Sequence, residues 1–488
     1  MDCRKILYFD ITDSLCRAIL CTYNISGNSC EFKEIYRFRS YPVYISGHRY
    51  RDIPAIISNI KKSISKTLKE TGGEPDSIGI SATAMEYGLI DKYGYIMYNP
   101  FSYNDVRTEN ITEKVLRFIK RNDLFAITGN DICPHSPMVQ LMAENDIRPY
   151  ILENAVTFLM LPDLIKYILT GDKSAEYTSA FSSQLVSCEK YDWSGKIISM
   201  LGFKRTMFPR IVYKNYRKLS DDICREFNCN PVDVKVSGSY LSGCAVLLEK
   251  YKDALIIDSD NDTRICICSE KPALSRAAYE SGISNAGIYN KKFLVFCREN
   301  GINLIDRTIK CFTERNISCN YSKLENTALL SESARCFVNP HDEIFSGDVN
   351  IPIAVQDYCR NTSQYVPANV SEMIRCLYES ISFTYAESAE NLCRISDKKF
   401  SRIIMTGKDS GNEIICRTLA DIFDVEVISG IENASVYGNI ALQLSDYDES
   451  IEKVLDDMLP DGKFKIYTPD ENKEKLLSEY KRKSVYSI

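Results

Sequence analysis

The sequence contains one strand–turn–strand pattern twice, and the two copies are separated by about half of the 488-residue chain. In the first copy, LYFDITDSLCRAILC, an apolar strand ends at Asp10, and a polar turn leads to Arg17 and a return strand that contains cysteine. In the second copy, LIIDSDNDTRICIC, Asp258 and Arg264 hold the same places. Repetition of one structural unit is typical of an internal duplication, although two ordinary hairpins would look similar. The repeat favours two related domains.

Strands and helices alternate around both copies. After the first copy, apolar residues at helical spacing predict a helix over 52–71, and a short apolar run predicts a strand over 77–83. The second half contains a strand, a glycine turn, a helix and a further strand over 402–428. This order predicts an α/β fold with a mixed sheet in each half. We expect two domains, residues 1–245 and residues 246–488.

The segment between the two copies is mostly helical in pattern. ILENAVTFLMLPDLIKYILTG, residues 151–171, predicts a buried pair of helices that is interrupted at Pro162. Asp163 would lie in the first turn of the second helix, where a carboxylate is favourable. Gly171 would end that helix in the left-handed conformation.

Composition excludes several classes of protein. A net charge of −6 provides no basic excess for binding nucleic acid. No run approaches the roughly 18 apolar residues of a membrane span, and the start shows no secretory signal, so we expect a soluble cytoplasmic protein. The 19 cysteines are scattered without paired zinc-site spacing, and there are only three histidines. We interpret the cysteines as reduced, buried, small apolar residues.

Several segments carry a family resemblance. LMLPDLIKYILTG with EYTSAFSSQLV, FVNPHDEIF, YCRNTSQYVP, RCLYESISFTYAE and ENASVYGNIALQL follow one another in the expected order. Together they resemble the FGGY family of carbohydrate kinases, and most of all its rhamnulokinase branch, from about residue 5 to residue 468. The resemblance implies two actin-like (ribonuclease-H-like) domains with an interdomain cleft. It also implies a sugar bound mainly by the first domain, and ATP with Mg²⁺ bound mainly by the second.

The family's catalytic base falls on a residue that cannot accept a proton. In this family the base is an aspartate in a His-Asp-Thr type segment before the second hairpin, and the matching segment here is SGSYLSGCAV. The base position is Leu241, and Tyr240 takes the neighbouring substrate-side position. A tyrosine pKa near 10 makes that hydroxyl a poor base at neutral pH. A one-residue shift does not help, because no carboxylate lies between Asp233 and Glu249.

The three turns that would approach phosphate have lost glycine. The chain has 22 glycines in 488 residues, below the usual level of about 7%, and backbone cradles for phosphate usually need glycine. By resemblance, the first turn keeps Asp10 on the metal side and Arg17 on the phosphate side. The second turn keeps Asn261 between two aspartates, and the third keeps Gly407 and Asn412 on the nucleotide side.

On the sugar side the resemblance points to two carboxylates. Glu86 matches a substrate-binding aspartate with one extra methylene, and Asp105 belongs to an Asn-Asp pair where the family has Arg-Asp. Simpler interpretations stay open for all of these residues. Asp10 can merely finish its strand, Arg17 can be a surface cation, and Glu86 can be an ordinary solvated side chain.

These departures lead to one hypothesis and two alternatives. The hypothesis is a rhamnulokinase-like protein whose ATP-dependent sugar phosphorylation is lost or severely reduced, with a sugar-sensing or partner role. The first alternative is an active kinase for L-rhamnulose or a related ketose that uses Glu86 or Asp105 as its base. The second is a non-enzymatic interaction protein. Partners would be a small sugar and a nucleotide, with no nucleic acid and no membrane.

Overall fold

The chain divides into two compact units that interleave along the sequence. The computed structural model describes residues 3–214, 216–259, 263–314, 321–447, 450–460, 462–470 and 473–484. The first unit comprises Met1–Lys250, Cys268–Leu294 and Ala434–Pro460. The second comprises Tyr251–Ile267, Val295–Asn433 and Asp461–Ile488.

A single boundary does not describe this division. The expected boundary after residue 245 lies close to the first change of unit, which falls after residue 250. Two later segments, 268–294 and 434–460, return to the first unit. Sequence pattern does not reveal such returns, because each segment has ordinary strand and helix periodicity.

Regular elements make up most of the described chain. The strands are β1 (Cys3–Ile11), β2 (Leu15–Asn24), β3 (Ser29–Arg39), β4 (Val43–Ile45), β5 (His48–Tyr50), β6 (Ser77–Ala82), β7 (Tyr87–Ile90), β8 (Thr157–Met160), β9 (Ala175–Glu176), β10 (Val186–Ser187), β11 (Asp192–Trp193), β12 (Ile211–Val212), β13 (Tyr216–Lys218), β14 (Asp233–Val236), β15 (Ala254–Ser259), β16 (Thr263–Ser269), β17 (Ser284–Gly287), β18 (Phe293–Glu299), β19 (Arg402–Thr406), β20 (Glu426–Ile431) and β21 (Lys465–Tyr467).

The helices are α1 (Ile53–Thr71), α2 (Ile111–Phe118), α3 (Arg121–Thr128), α4 (Pro137–Ile147), α5 (Pro149–Asn154), α6 (Leu161–Thr170), α7 (Tyr177–Phe181), α8 (Gly195–Met200), α9 (Asp221–Phe227), α10 (Tyr240–Val246), α11 (Arg276–Glu280), α12 (Asn303–Glu314), α13 (Tyr321–Leu329), α14 (Ile351–Asn361), α15 (Val370–Ser396), α16 (Glu413–Phe423), α17 (Ala434–Leu444), α18 (Ile451–Met458) and α19 (Glu474–Ser484). Within the residues described, no helix combines the length and the apolar character needed to cross a membrane.

The first unit is built on a six-stranded mixed sheet. Its strand order is β13-β14-β6-β1-β2-β3. β1 pairs parallel to β6 and antiparallel to β2, and β14 pairs parallel to β6. The central residues of β1, Ile6 to Phe9, are completely buried. Because both faces of this strand are covered, its sequence is a continuous apolar run rather than an alternating one.

The second unit repeats that arrangement. Its sheet contains the strand order β18-β16-β15-β19-β20-β21. β15 pairs antiparallel to β16 and parallel to β19, and β19 pairs parallel to β20. The repeated aspartates and arginines also match, since Asp10 lies opposite Arg17 and Asp258 lies opposite Arg264. The duplicated topology expected from the repeated hairpin is therefore confirmed.

The predicted pair of helices over 151–171 is wrong in part of its first half. Residues 151–154 are helical in α5, but 157–160 form β8, which pairs antiparallel with β7. A short apolar run such as TFLM fits a buried helix and a buried strand equally well, and only the pairing with β7 decides between them. The second half agrees with the prediction, because Asp163 lies in the first turn of α6 and Gly171 ends it with φ of 78°.

Two glycines let α10 and α17 approach at backbone distance within the first unit. A Cβ atom on Gly438 would lie 1.9 Å from the carbonyl oxygen of Gly243. A Cβ atom on Gly243 would lie 2.5 Å from the carbonyl oxygen of Ser435. Both distances are far shorter than van der Waals contact, so neither position accepts a larger residue without separating the helices. Since α10 begins at Tyr240, this contact fixes the place of the segment that holds Leu241.

We expect Gly438→Ala to lower the free energy of unfolding by about 1–3 kcal/mol, the usual cost of overpacking a close-packed core. Chemical denaturation monitored by circular dichroism measures this. Gly195→Ala is the matched control, because a Cβ atom there meets nothing within 4 Å, and alanine is the better helix former. Equal stability of the two variants would contradict the proposed helix contact.

Candidate active site

The candidate residues of the first unit gather at one edge of its sheet. β1, β6 and β14 run parallel, so the segments after their carboxyl ends meet at the same edge. The amide of Thr83 bonds the carbonyl of Ile11 at 2.9 Å, and the amide of Ser237 bonds the carbonyl of Ile80 at 2.9 Å. The turn after Asp10, the loop with Glu86 and the start of α10 therefore follow neighbouring strands.

Asp10 and Arg17 bind each other across the first hairpin. The Arg17 guanidinium donates to Asp10 Oδ2 from Nη2 at 2.6 Å and from Nε at 3.1 Å. Both side chains are partly exposed, at 20% and 24% of their surfaces. The two residues predicted to face metal and phosphate thus form a salt bridge with each other.

Glu86 is completely buried against an arginine that the sequence did not single out. Arg51 Nε lies 3.2 Å from Glu86 Oε2, and both side chains are 0% exposed. Among the residues that the structure describes, neither of these two atoms has a hydrogen-bond partner, so the pair is a contact between charged groups without a well-aligned hydrogen bond. Burial raises the pKa of Glu86 to about 7, while the Arg51 charge and the Tyr103 amide oppose that rise. The open interpretation of Glu86 as a solvated side chain does not hold.

The buried Arg51 side chain also donates hydrogen bonds to the backbone of the first hairpin turn. Its Nη2 donates to the carbonyl of Thr12 at 2.8 Å, and its Nη1 donates to the carbonyls of Asp13 at 3.1 Å and Ser40 at 3.0 Å. The backbone amide of Leu15 donates a hydrogen bond to the Thr12 hydroxyl at 3.0 Å. This turn is organised by side chains rather than by glycine. No periodicity marks Arg51, and its place just before the N-cap of α1 is the only local signal.

The carboxylate of Asp105 accepts hydrogen bonds from nearby backbone amides. It accepts hydrogen bonds from the amides of Arg49 at 2.7 Å and Arg107 at 3.1 Å, and His48 Nδ1 lies 3.1 Å away. Its side chain is 1% exposed. These contacts join the β4–β5 hairpin to the loop before α2, which is the role of a structural carboxylate.

Tyr240 and Leu241 form the first turn of α10. Ser239 caps this helix by accepting a hydrogen bond from the amide of Ser242 at 3.3 Å. Both Tyr240 and Leu241 are half-buried. Leu241, the residue that we expect at the base position, therefore lies in the capped first turn of α10, next to the shared sheet edge, and its side chain is an isobutyl group.

The second unit holds the other candidates at the end of β15 and β19. Asp258 is 0% exposed, Arg264 Nη1 lies 3.1 Å from its Oδ2, and Thr406 donates to its Oδ1 at 2.9 Å. Gly407 follows with φ of 87°, a left-handed conformation that favours glycine. Asn412 caps α16 by accepting from the amide of Ile415 at 2.9 Å. The candidate Asn261 lies outside the described residues.

These residues fit magnesium and a triphosphate poorly. A guanidinium at 2.6 Å occupies the Asp10 carboxylate that would bind the cation. In the glycine turn of the second unit, the amide of Ser410 bonds the carbonyl of Gly407 at 3.3 Å, and the amide of Asn412 bonds the carbonyl of Asp409 at 3.1 Å. With the bonded Leu15 amide, these donors already have partners within their own turns, whereas phosphate cradles need amides directed at the ligand.

Comparison with known proteins gives one consistent result. Residues 6–223 match the model of the N-terminal domain of the FGGY family of carbohydrate kinases, and residues 275–447 match the C-terminal domain of the same family. A rhamnulokinase of Enterobacter sp. (strain 638) is 28% identical over 449 residues, which is 92% of this chain and 91% of that protein.

Solved structures of low sequence identity share the fold. Ligand-bound xylulose kinase from Lactobacillus acidophilus superposes with a TM-score of 0.80 at 15% identity, over 99% of this chain and 97% of that one. Plasmodium falciparum glycerol kinase with ADP superposes with a TM-score of 0.77 at 15% identity, over 99% and 98%.

The raised pKa of Glu86 predicts a pH dependence of stability. Between its unfolded pKa of about 4.5 and its folded pKa of about 7, the folded chain holds a proton that the unfolded chain has lost. This contribution to stability is complete below about pH 4.5 and is lost as the pH rises through 7. We expect Glu86→Gln to reduce the fall in unfolding free energy between pH 5 and pH 8, by on the order of 3 kcal/mol.

Urea titrations at several pH values measure this slope. Glu86→Gln also leaves the Arg51 charge without its partner, so the variant is less stable overall, and only the slope is diagnostic. The exposed Glu189→Gln is the control. Burial also raises the pKa of Asp163 to about 7. Asp163 therefore contributes to the pH dependence of the unfolding free energy in every variant. An unchanged slope in Glu86→Gln would mean that Glu86 is ionised throughout this range.

Proposed function

Because this chain belongs to the FGGY family of carbohydrate kinases, with an actin-like (ribonuclease-H-like) α/β fold, we propose that it is a rhamnulokinase-like member whose ATP-dependent sugar phosphorylation is lost or severely reduced. The observation that carries the proposal is Leu241. By resemblance it takes the family's base position, and it lies in the first turn of α10, which follows β14 at the sheet edge where the carboxyl ends of β1, β6 and β14 meet. A hydrocarbon side chain cannot take the proton of a sugar hydroxyl.

The neighbouring carboxylates do not replace the missing base. Asp10 is held by Arg17 at 2.6 Å, and Asp105 accepts from two backbone amides. Glu86 is fully buried beside Arg51. Each of these carboxylates would have to leave an existing partner before it could reach a substrate hydroxyl.

The phosphate side supports the same proposal. The turn after Asp10 directs carbonyls of Thr12 and Asp13 at Arg51, and its Leu15 amide is bonded within the turn. Phosphoryl transfer depends on preorganised donors and cations around the transferring group. We therefore expect weak or absent binding of ATP with Mg²⁺, and Asn412 and Gly407 remain as nucleotide-side residues.

We propose that the protein keeps the capacity to bind a small ligand. We assign sugar binding to residues 1–245, with Glu86, Asp105 and Tyr240 on that side, and nucleotide binding to residues 246–488. The role we propose is sugar sensing or association with a partner. The cysteines of the described chain are free thiols, which fits a reducing compartment such as the cytoplasm.

One observation favours the alternative of an active kinase for L-rhamnulose or a related ketose. A general base works best when its pKa lies near the working pH, and burial places the pKa of Glu86 at about 7. This alternative requires the substrate hydroxyl to reach Glu86 while its surroundings stay dry, because burial is what raises its pKa.

A coupled assay of ADP release with ATP, Mg²⁺ and a panel of ketoses including L-rhamnulose tests the proposal. Loss of a general base typically costs about 10²–10⁴-fold, so we expect kcat at least about 100-fold below that of the Enterobacter rhamnulokinase measured in parallel. Calorimetry with the same sugars measures binding separately. Turnover of several per second with any of the ketoses would overturn the proposal.

Variants of Leu241 and Glu86 test which residue accounts for the level of kinase activity. Leu241→Asp restores a carboxylate at the first turn of α10, where a negative charge is favourable, and Leu241→Asn is its uncharged control. A gain confined to the aspartate variant would attribute the loss chiefly to the base. If the wild type is active and Glu86→Gln abolishes turnover, Glu86 is the base. Absence of both sugar and nucleotide binding would identify an interaction protein instead.

A further inference from the structure

Three cysteines of the second unit, distant in sequence, converge in its interior. Their Sγ atoms all lie within 4.8 Å of one another. Cys336 comes from the loop after α13, Cys359 from the last turn of α14, and Cys376 from the second turn of α15. Their residues are 3%, 0% and 1% exposed. Such spacing matches no short metal-binding motif, which is why the sequence alone favoured independent apolar cysteines.

Hydrogen bonds among the three segments preorganise this thiol cluster. The side chain of Gln364 accepts from the amide of Phe337 and donates to its carbonyl, both at 2.9 Å. The amide of Gln364 also bonds the carbonyl of Cys359 at 2.8 Å. The loop residue after Cys336 is therefore tied to the segment that follows α14.

The third segment is fastened in the same way. The hydroxyl of Ser380 donates to the carbonyl of Cys376 at 2.6 Å and accepts from the amide of Val338 at 2.9 Å. Phe337 stacks on Phe383 of the same helix with ring centroids 4.5 Å apart. Buried polar and aromatic contacts thus position the three segments that carry the cysteines.

We propose that Cys336, Cys359 and Cys376 form a three-coordinate site for a soft thiophilic cation, namely monovalent copper. Thiolate sulfur is the ligand that Cu(I) prefers. Zinc sites almost always have four ligands, and among the described residues no fourth histidine, cysteine or carboxylate joins this cluster. Burial also excludes the water that completes open zinc sites. On binding, each coordinating thiol transfers its proton to solvent and forms a Cu–S bond, with no change in oxidation state.

The test uses the full-length reduced protein under anaerobic conditions. Cu(I) is supplied as its bicinchoninate complex, and transfer to the protein is followed by loss of the chromophore. We expect one equivalent to bind, with a rise in melting temperature and an X-ray absorption spectrum showing only sulfur ligands. Zinc is titrated separately under the same conditions.

Matched variants give the test its specificity. Cys376→Ala removes one ligand and should weaken copper binding at least about 100-fold. Cys266→Ala removes an equally buried thiol of the second unit that lies outside the cluster, and it should bind like the wild type. Cys336→Ala, in the loop, provides a second ligand variant should Cys376→Ala fail to fold.

Three results would overturn the proposal. The first is copper binding that is absent, or equal in the wild type and the folded ligand variants. The second is stoichiometric zinc binding in preference to copper. The third is a disulfide between two of the three cysteines in the protein isolated without reductant, detected by mass spectrometry of peptides. Each leaves the proposed loss of kinase activity unaffected, because neither that proposal nor its assay involves these thiols.

Discussion

The candidate site depends on one completely buried guanidinium. Removing an arginine from water costs on the order of several kcal/mol unless its donors and its charge find partners. Arg51 meets this requirement with the carbonyls of Thr12, Asp13 and Ser40 and with the carboxylate of Glu86. A single side chain thereby fixes the first hairpin turn and also lies against the buried carboxyl group of Glu86. Glycine is unnecessary in such a turn, since its shape is imposed from within the core.

This arrangement supports the proposed loss of kinase activity independently of the residue at position 241. Two carbonyl groups of this turn accept hydrogen bonds from Arg51, and its Leu15 amide is already bonded to the Thr12 hydroxyl, whereas a phosphate cradle needs amides directed at the ligand. Asp10 and Arg17 then satisfy each other across the hairpin. Asp10 with Arg17, and Glu86 with Arg51, are therefore paired within the first unit.

The repeated hairpin was sufficient to predict two related α/β sheets, because strand pattern and the facing Asp–Arg pairs are local properties. The strand β8 was missed, since four apolar residues have no decisive period without their partner β7. Arg51 was missed for a different reason: one buried arginine in a polar stretch resembles a surface cation until its acceptors are known. The burial of Glu86 and the meeting of Cys336 with Cys376 depend likewise on contacts between distant segments.

The interleaving of the two units has a consequence for synthesis on the ribosome. The first unit is closed by α17, whose Asn439 and Gln443 donate to Tyr8 and Ser77, residues up to 431 positions earlier in the chain. The six-stranded sheet of the first unit therefore lacks one of its covering helices until about nine-tenths of the chain has been translated. The first unit therefore cannot complete its native contacts until most of the second unit has been synthesised, although domains of other proteins commonly fold one after the other during translation.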